Sequence, residues 1–277
     1  NISNAVSQTL SITGGAGTVV GTLTGQPVSA VGTITNPGNV ALAGNLLLND
    51  NVTVASGSGT VTNAGVLSLF RVVTVTGNFS QSASNAALGV SGAGELIVTG
   101  SASLTGGSAF SAGGNYLNGA TATTILSAGA ASDFTHVLGV STITGLNATI
   151  AAVGNNLIQT IANAYVGGTI DNATISSSIT GATYAFYEAA TGSIGSLTNT
   201  GLLSGNATAF FNSGTIGTFN NSGIISDGAG FSNSGSMAVF NNSSIVSGNT
   251  GLVNSGSIGT VFNSGFISGT TAAVGNR

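Results

Sequence analysis

Few residues in this chain could do chemistry. One histidine, His136, stands shortly after an acid, Asp133, and serines are abundant. The chemistry these types suggest is nucleophilic: a serine activated by the imidazole, with the aspartate orienting the ring. That arrangement needs a buried, oriented acid and one serine held in a strained position, and nothing marks one serine among dozens. The bland reading of His136, a surface or loop histidine, is the expectation. A single histidine with no cysteine cannot supply the three or four nitrogen or sulfur ligands of a zinc site. The six acids, Asp50, Glu95, Asp133, Asp171, Glu188 and Asp227, are scattered along the chain, too sparse for the paired carboxylates of glycoside cleavage or for carboxylates sharing calcium. There is no lysine, which excludes a Walker-type phosphate loop, and Gly15–Val20 misses the last glycine of the dinucleotide fingerprint and reads as a turn. No catalytic, cofactor-binding or metal-binding residue is expected, and the chain reads as a non-enzyme that needs no cofactor and takes no small-molecule substrate.

The elements that would position such residues are equally unusual in composition. Of 277 residues only 3% are charged, against roughly 25% in an average soluble domain. Two arginines, Arg71 and Arg277, cannot form a phosphate-tracking patch, so no nucleic acid partner is expected. Every apolar run is broken within a few positions by Gly, Ser, Thr or Asn, so no helical membrane span is expected. Disorder fits poorly as well, because Val, Ile and Thr are abundant and there are only two prolines. Forty-five glycines beside 42% hydrophobic residues point instead to many short strands joined by tight turns. Asn1-Ile2-Ser3-Asn4 has neither the charged start nor the apolar core of a signal peptide, so the sequence reads as a mature or excised segment.

The strongest signal is a repeat. Asn-Ser-Gly recurs at Asn212, Asn233 and Asn254, at an equal interval each time. A second series runs through Asn199, Asn221, Asn242 and Asn263 in nearly the same steps. Two apolar columns keep the same clock: Ile194, Ile216, Met237 and Ile258, and Leu202, Ile224, Ile245 and Phe266. A period of this size means stacked units. Glycine every few residues rules out helical repeats, and the leucine pattern of leucine-rich repeats is absent. The remaining architecture is an all-β fold, a parallel β-helix (β-solenoid) with a rung of about 21 residues. Its corners are read at Asn199, Asn212, Asn221, Asn233, Asn242, Asn254 and Asn263, with Gly214, Gly223, Gly235, Gly256 and Gly265, on the grounds that a corner needs positive φ. Asparagines stacked on successive rungs can form a hydrogen-bonded ladder. Ile216, Ile224, Phe231, Val239 and their equivalents are expected to point inward. The scarcity of charge follows from the stacking, since a charge repeated every rung would face its like across about 5 Å.

Three regions follow. Residues 1–115 read as irregular solenoid rungs, with strands at Thr33–Thr35, Leu46–Leu48, Val52–Val54, Val72–Val75 and Leu96–Val98. Residues 116–180 read as a less regular β segment with longer loops, in which Leu157–Ala162 fits a strand or a short helix. Residues 181–277 read as regular repeats of the same rung.

Two stretches, Val75-Thr-Gly-Asn-Phe-Ser-Gln-Ser-Ala83 and Glu95-Leu-Ile-Val-Thr-Gly-Ser-Ala-Ser-Leu-Thr-Gly-Gly107, resemble the passengers of bacterial autotransporters, as do Thr124–Ala128 and the Asn-Ser-Gly-Ser-Ile-Gly repeats. The resemblance implies a right-handed coil, export across the outer membrane, an extracellular or cell-surface location, and a role in adhesion or cell aggregation. Its partners would be other copies of itself or cell-surface molecules, with attachment to the outer membrane only through a part not present here. The alternative is a subunit of a self-assembling surface filament or layer, stacking through solenoid ends or neutral faces.

Overall fold

The computed structural model describes residues 1–277 except 6, 26–29, 56–57, 112–114, 120, 138 and 141–142. No helix occurs among the described residues, and parallel strands stack coil upon coil into a β-solenoid. The chain divides into two compact units. The first comprises Asn1–Gly113, Ala122–Ser141 and Thr149–Gln159, and the second comprises Gly114–Thr121, Thr142–Ala148 and Thr160–Arg277.

In the first unit the coils up to Ser111 each contribute one strand to each of three sheets, and the later strands, among them the antiparallel pair Gly139–Val140 and Ala148–Val153, extend only the first. One sheet stacks Asn51–Thr53, Val72–Thr76 and Glu95–Val98. The second stacks Val40–Ala43, Thr60–Asn63, Asn78–Gln81 and Ala102–Leu104. The third stacks Asn45–Leu48, Val66–Leu69, Ala87–Val90 and Ser108–Ser111. Alternation within these strands buries every second side chain, as in Asn45–Leu48 and Val66–Leu69, so the inward positions form one apolar core. The irregular period has a simple cause. On the third sheet Leu46 lies under Leu67 and Leu67 under Leu88, two equal steps along the chain. On the second sheet the step from Val61 to its partner Phe79 is shorter than the step from Phe79 to its partner Ala102. The strands keep register while the corners between them vary in length. The segment that fits either a strand or a short helix is a strand, Asn156–Ile161.

In the second unit three columns of strands are again in register. Ser193–Asn199, Thr215–Asn221, Ser236–Asn242 and Ser257–Asn263 form one column. Ile194, Ile216 and Met237 are buried along it and Ile258 is half-buried. A second column holds Phe186, Phe210 and Phe231, stacked with ring centroids 4.4 and 4.7 Å apart, and these rings meet Phe219 and Phe240 of the first column. All five rings are fully buried. Each contributes roughly 2 kcal/mol by leaving water, and the offset stacking of neighbours adds about 0.5–1.5 kcal/mol per pair.

Two expectations need correction. Ile224 does not face the core: it is 41% exposed, whereas Ile225 is fully buried. The same holds along the column, where Leu203, Ile225 and Val246 are inside and Ile245 (38% exposed) and Phe266 (74%) are outside. Each coil carries two apolar residues in succession here, and a one-residue shift of parity exchanges the two faces of a strand. Val239 is likewise only half-buried, stacked between Thr218 and Thr260.

The corner glycines are not in the left-handed region either. The positive-φ glycines among the described residues lie elsewhere. What the corners demand is closeness. A Cβ on Gly223, Gly235, Gly256 or Gly265 would come within 3 Å of the carbonyl oxygen of, respectively, Gly201, Gly214, Gly235 or Ser244, one coil below. A backbone oxygen cannot yield as a side-chain end can. Gly235→Ala should therefore lower stability by about 2 kcal/mol or more through overpacking. Gly168→Ala, whose Cβ would meet nothing closer than 3.5 Å, should stay within about 0.5 kcal/mol of wild type. Urea unfolding of the two variants checks this, and equal losses would refute the close-approach explanation.

Candidate functional site

The most organised polar chemistry lies at two corners of the second unit. In the first, Asn199 donates through Nδ2 to Asn221 Oδ1 (2.9 Å), Asn221 to Asn242 (2.7 Å) and Asn242 to Asn263 (2.7 Å). In the second, Asn212 donates to Asn233 (2.7 Å), Asn233 to Asn254 (2.8 Å) and Asn254 to Asn276 (3.1 Å). Asn199, Asn212, Asn221, Asn233 and Asn242 are all buried. Their backbone carbonyls close the next corner: Asn212 O accepts from Ser234 N at 2.8 Å and Gly235 N at 3.2 Å, and Asn233 O from Ser255 N and Gly256 N at the same two distances. The side-chain oxygen also turns back on its own corner, where Asn212 Oδ1 accepts from Gly214 N at 2.9 Å. The five buried amides thus have their hydrogen bonds met out of water, the condition under which a buried polar group stabilises a fold.

Sequence reasoning missed three sets of polar or aromatic residues. In the first unit Asn63 Nδ2 donates to Gln81 Oε1 (2.9 Å), and Gln81 Nε2 donates to Gly106 O and Ser108 O (both 3.1 Å). This corner column mixes Asn with Gln, so no single-residue series betrays it. Elsewhere in that unit Asn39, Asn51 and Asn78 accept with Oδ1 from the amides of Thr60, Thr74 and Ser101 on the following coil.

The second missed set is aromatic. The four tyrosines of the chain, Tyr116, Tyr165, Tyr184 and Tyr187, gather in one cluster with Phe211. Tyr187 stacks on Tyr165 (6.0 Å) and on Phe211 (5.2 Å). Segment 143–148 covers it, with Leu146 buried and Gly145 so close to the Tyr187 ring that no Cβ would fit. Burial, followed by the neighbouring Tyr187 and Tyr116, pushes the Tyr165 hydroxyl above the usual tyrosine range.

The third is Glu188. It stands directly below Asn212 in the asparagine column and above Val166. It is 0% exposed, and neither carboxyl oxygen has a hydrogen-bond partner. Burial raises its pKa from 4.5 to about 8. The Thr215 amide, which donates to Gly192 O at 3.1 Å, acts in the opposite direction. A signal for Glu188 existed in the sequence: Phe186-Tyr-Glu188 aligns with Phe210-Phe-Asn212 and Phe231-Ser-Asn233. The step from Glu188 to Asn212 is longer than the step from Asn212 to Asn233, which hides the match.

The residues weighed for catalysis are placed as follows. His136 and Asp133 are both exposed, and Asp133 Oδ1 accepts from Thr135 N (3.1 Å) and Thr135 Oγ1 (2.8 Å). Those two hydrogen bonds hold its carboxyl below the usual range, with His136 adding the smallest effect. Asp227, the one non-glycine with positive φ (71°) among the described residues, accepts from Ser204 Oγ at 2.5 Å. It borders an open groove of about 570 Å³ with Ser226, Ser247, Asn249, Ser268 and Thr270. No group of three or more His, Cys, Asp or Glu side chains comes together among the described residues.

The column predicts its own mutational pattern. Asn233→Leu removes the 2.7 Å acceptor of buried Asn212, which keeps only Ser236 O at 3.3 Å, and the donor to half-buried Asn254, and should cost about 2 kcal/mol or more, at about 1–3 kcal/mol for each partner disturbed. Asn241→Ser removes only a half-buried bond to Asn220 (2.7 Å) on the outer face and should cost less than about 1 kcal/mol. Thermal unfolding of both variants measures the contrast. No family model, no curated protein and no solved structure matches this chain.

Proposed function

We propose that this chain is a non-catalytic extracellular structural protein, an adhesion or cell-aggregation module of the kind found in autotransporter passengers. The observation that carries this reading is the outward column Ile224, Ile245 and Phe266, preceded by half-buried Leu202 and repeated once per coil beside Ser204, Ser226, Ser247 and Ser268. An exposed apolar stripe flanked by hydroxyls is a surface that gains by being covered. Its spacing, about 4.8 Å from coil to coil, suits a partner with the same repeat, and a second copy of the chain has it. Little charge stands in the way: between 172 and 276 only Glu188 and Asp227 are acidic, and no Lys, Arg or His occurs. A net charge of −4 over the whole chain supplies little of the repulsion that keeps proteins apart. Copies on neighbouring cells, or neutral cell-surface molecules, are the partners this surface fits.

The same column also supports the second reading, a subunit of a surface filament or layer. Sedimentation velocity over a wide range of concentrations tests both, with electron microscopy of the associated species. The wild-type chain should self-associate, and Ile224→Ser with Ile245→Ser should weaken association by at least about tenfold, about 1.4 kcal/mol, with far-UV circular dichroism unchanged. Filaments of regular repeat favour the second reading, and discrete pairs or small clusters favour the first. A wild-type chain that is monomeric at every concentration would overturn both.

A further inference from the structure

Glu188 has no place in the self-association reading, yet it is a fully buried acid whose two carboxyl oxygens have no hydrogen-bond partner. Every buried amide of its column has a donor or an acceptor on the adjoining coil. Glu188 has neither, and its two oxygens are sealed from water. A carboxylate so placed is expensive, whereas a carboxylic acid is not. The column itself indicates which form fits. Along it each Nδ2 points to the Oδ1 of the next coil, so Asn233 Oδ1 and Asn254 Oδ1 receive a proton from the coil below. Asn212 has Glu188 below it in the strand register, and its Oδ1 accepts from Gly214 N at 2.9 Å in place of a donor from the coil below. An acid O–H can donate within this column of amides, while a carboxylate would only add lone pairs to it. The other column ends without any such group: Asn199 lies on Ile175. Starting a column therefore does not require an acid.

We infer that Glu188 is a proton-operated clasp. As the uncharged acid it closes the foot of the Asn212–Asn276 column, and loss of its proton loosens the coil that carries it. No ionisable side chain competes for the role. Above it lies Asn212, below it Val166, and Gly192, Gly214 and Thr215 flank it. The ionisable groups on the adjoining strands are Tyr165, Tyr184 and Tyr187, all turned into the aromatic cluster on the opposite face, and Asp171 is exposed. The direction of the pH effect follows from the two protonation states. Between about pH 4.5 and 8 the unfolded chain has lost the Glu188 proton and the folded chain retains it. Folding then takes up a proton, and stability falls as pH rises through that window and levels off above it.

Selective carboxyl labelling of glutamate decides the point, because the chain has only two, Glu95 and Glu188. In the folded wild-type protein one ¹³Cδ signal should titrate near pH 8, and Glu188→Gln should remove that signal. The folding constant of the wild type should drop up to tenfold per pH unit between pH 5 and 8, relative to that of Glu188→Gln, whose amide supplies the donor without titrating. Comparing the two proteins cancels His136. Two glutamate signals that both titrate in the ordinary carboxylate range would overturn the inference, and this measurement needs only the wild-type chain if the variant fails to fold. Parallel pH profiles for the two proteins would overturn it equally.

Discussion

In-register stacking is the constraint on which everything else in this molecule depends. Within the stacked strands a residue sits on its counterpart from the coil before, about 4.8 Å away, so whatever such a position contains must tolerate its own kind as a close neighbour. Phenylalanine does, as the stacks through Phe186, Phe210 and Phe231 and through Phe219 and Phe240 show. Asparagine does, because one amide both gives and takes a hydrogen bond. Charged residues do not. Glycine is admitted where the backbone of one corner rests on the carbonyl of the next. The odd composition, with little charge and much Gly, Asn and Ser, is what this rule leaves.

The same rule explains how much of the fold can be read without coordinates. Between residues 190 and 270 the corners have nearly constant length, so stacked residues recur at nearly even intervals and both asparagine series surface in the sequence. In the first unit the strands are as strictly registered, but the coil from Val61 to Phe79 is short and the one from Phe79 to Ala102 is long, so the clock disappears although the stack does not. The Leu-Leu, Ile-Ile and Ile-Val pairs at 202–203, 224–225 and 245–246 defeat parity for another reason: both members are apolar, and only the strand's geometry decides which faces inward. The glycine corners illustrate a third limit. Glycine marks a special position, but composition cannot tell a special torsion from a close approach. Glu188 was hidden by the longer stretch of chain that separates it from Asn212.

The chemistry-bearing residues are dispersed and the ordering residues are concentrated. Asp133 is committed to Thr135, Asp227 to Ser204, and Glu95 Oε1 accepts from Ser127 at 3.0 Å. Glu188 is the acid set among the ordering residues. Its surroundings favour one protonation state in the way that the rest of the core favours one packing.

The two asparagine columns have a further property. All six of their side-chain hydrogen bonds run the same way, from Nδ2 of one coil to Oδ1 of the next toward the C-terminus. Amide dipoles aligned head to tail add together, as they do along a helix. In the second unit these two columns therefore have an electrical direction along the stack, with a donor-poor end and an acceptor-poor end. Two neighbours lying side by side in the same sense and in opposite senses are not equivalent arrangements.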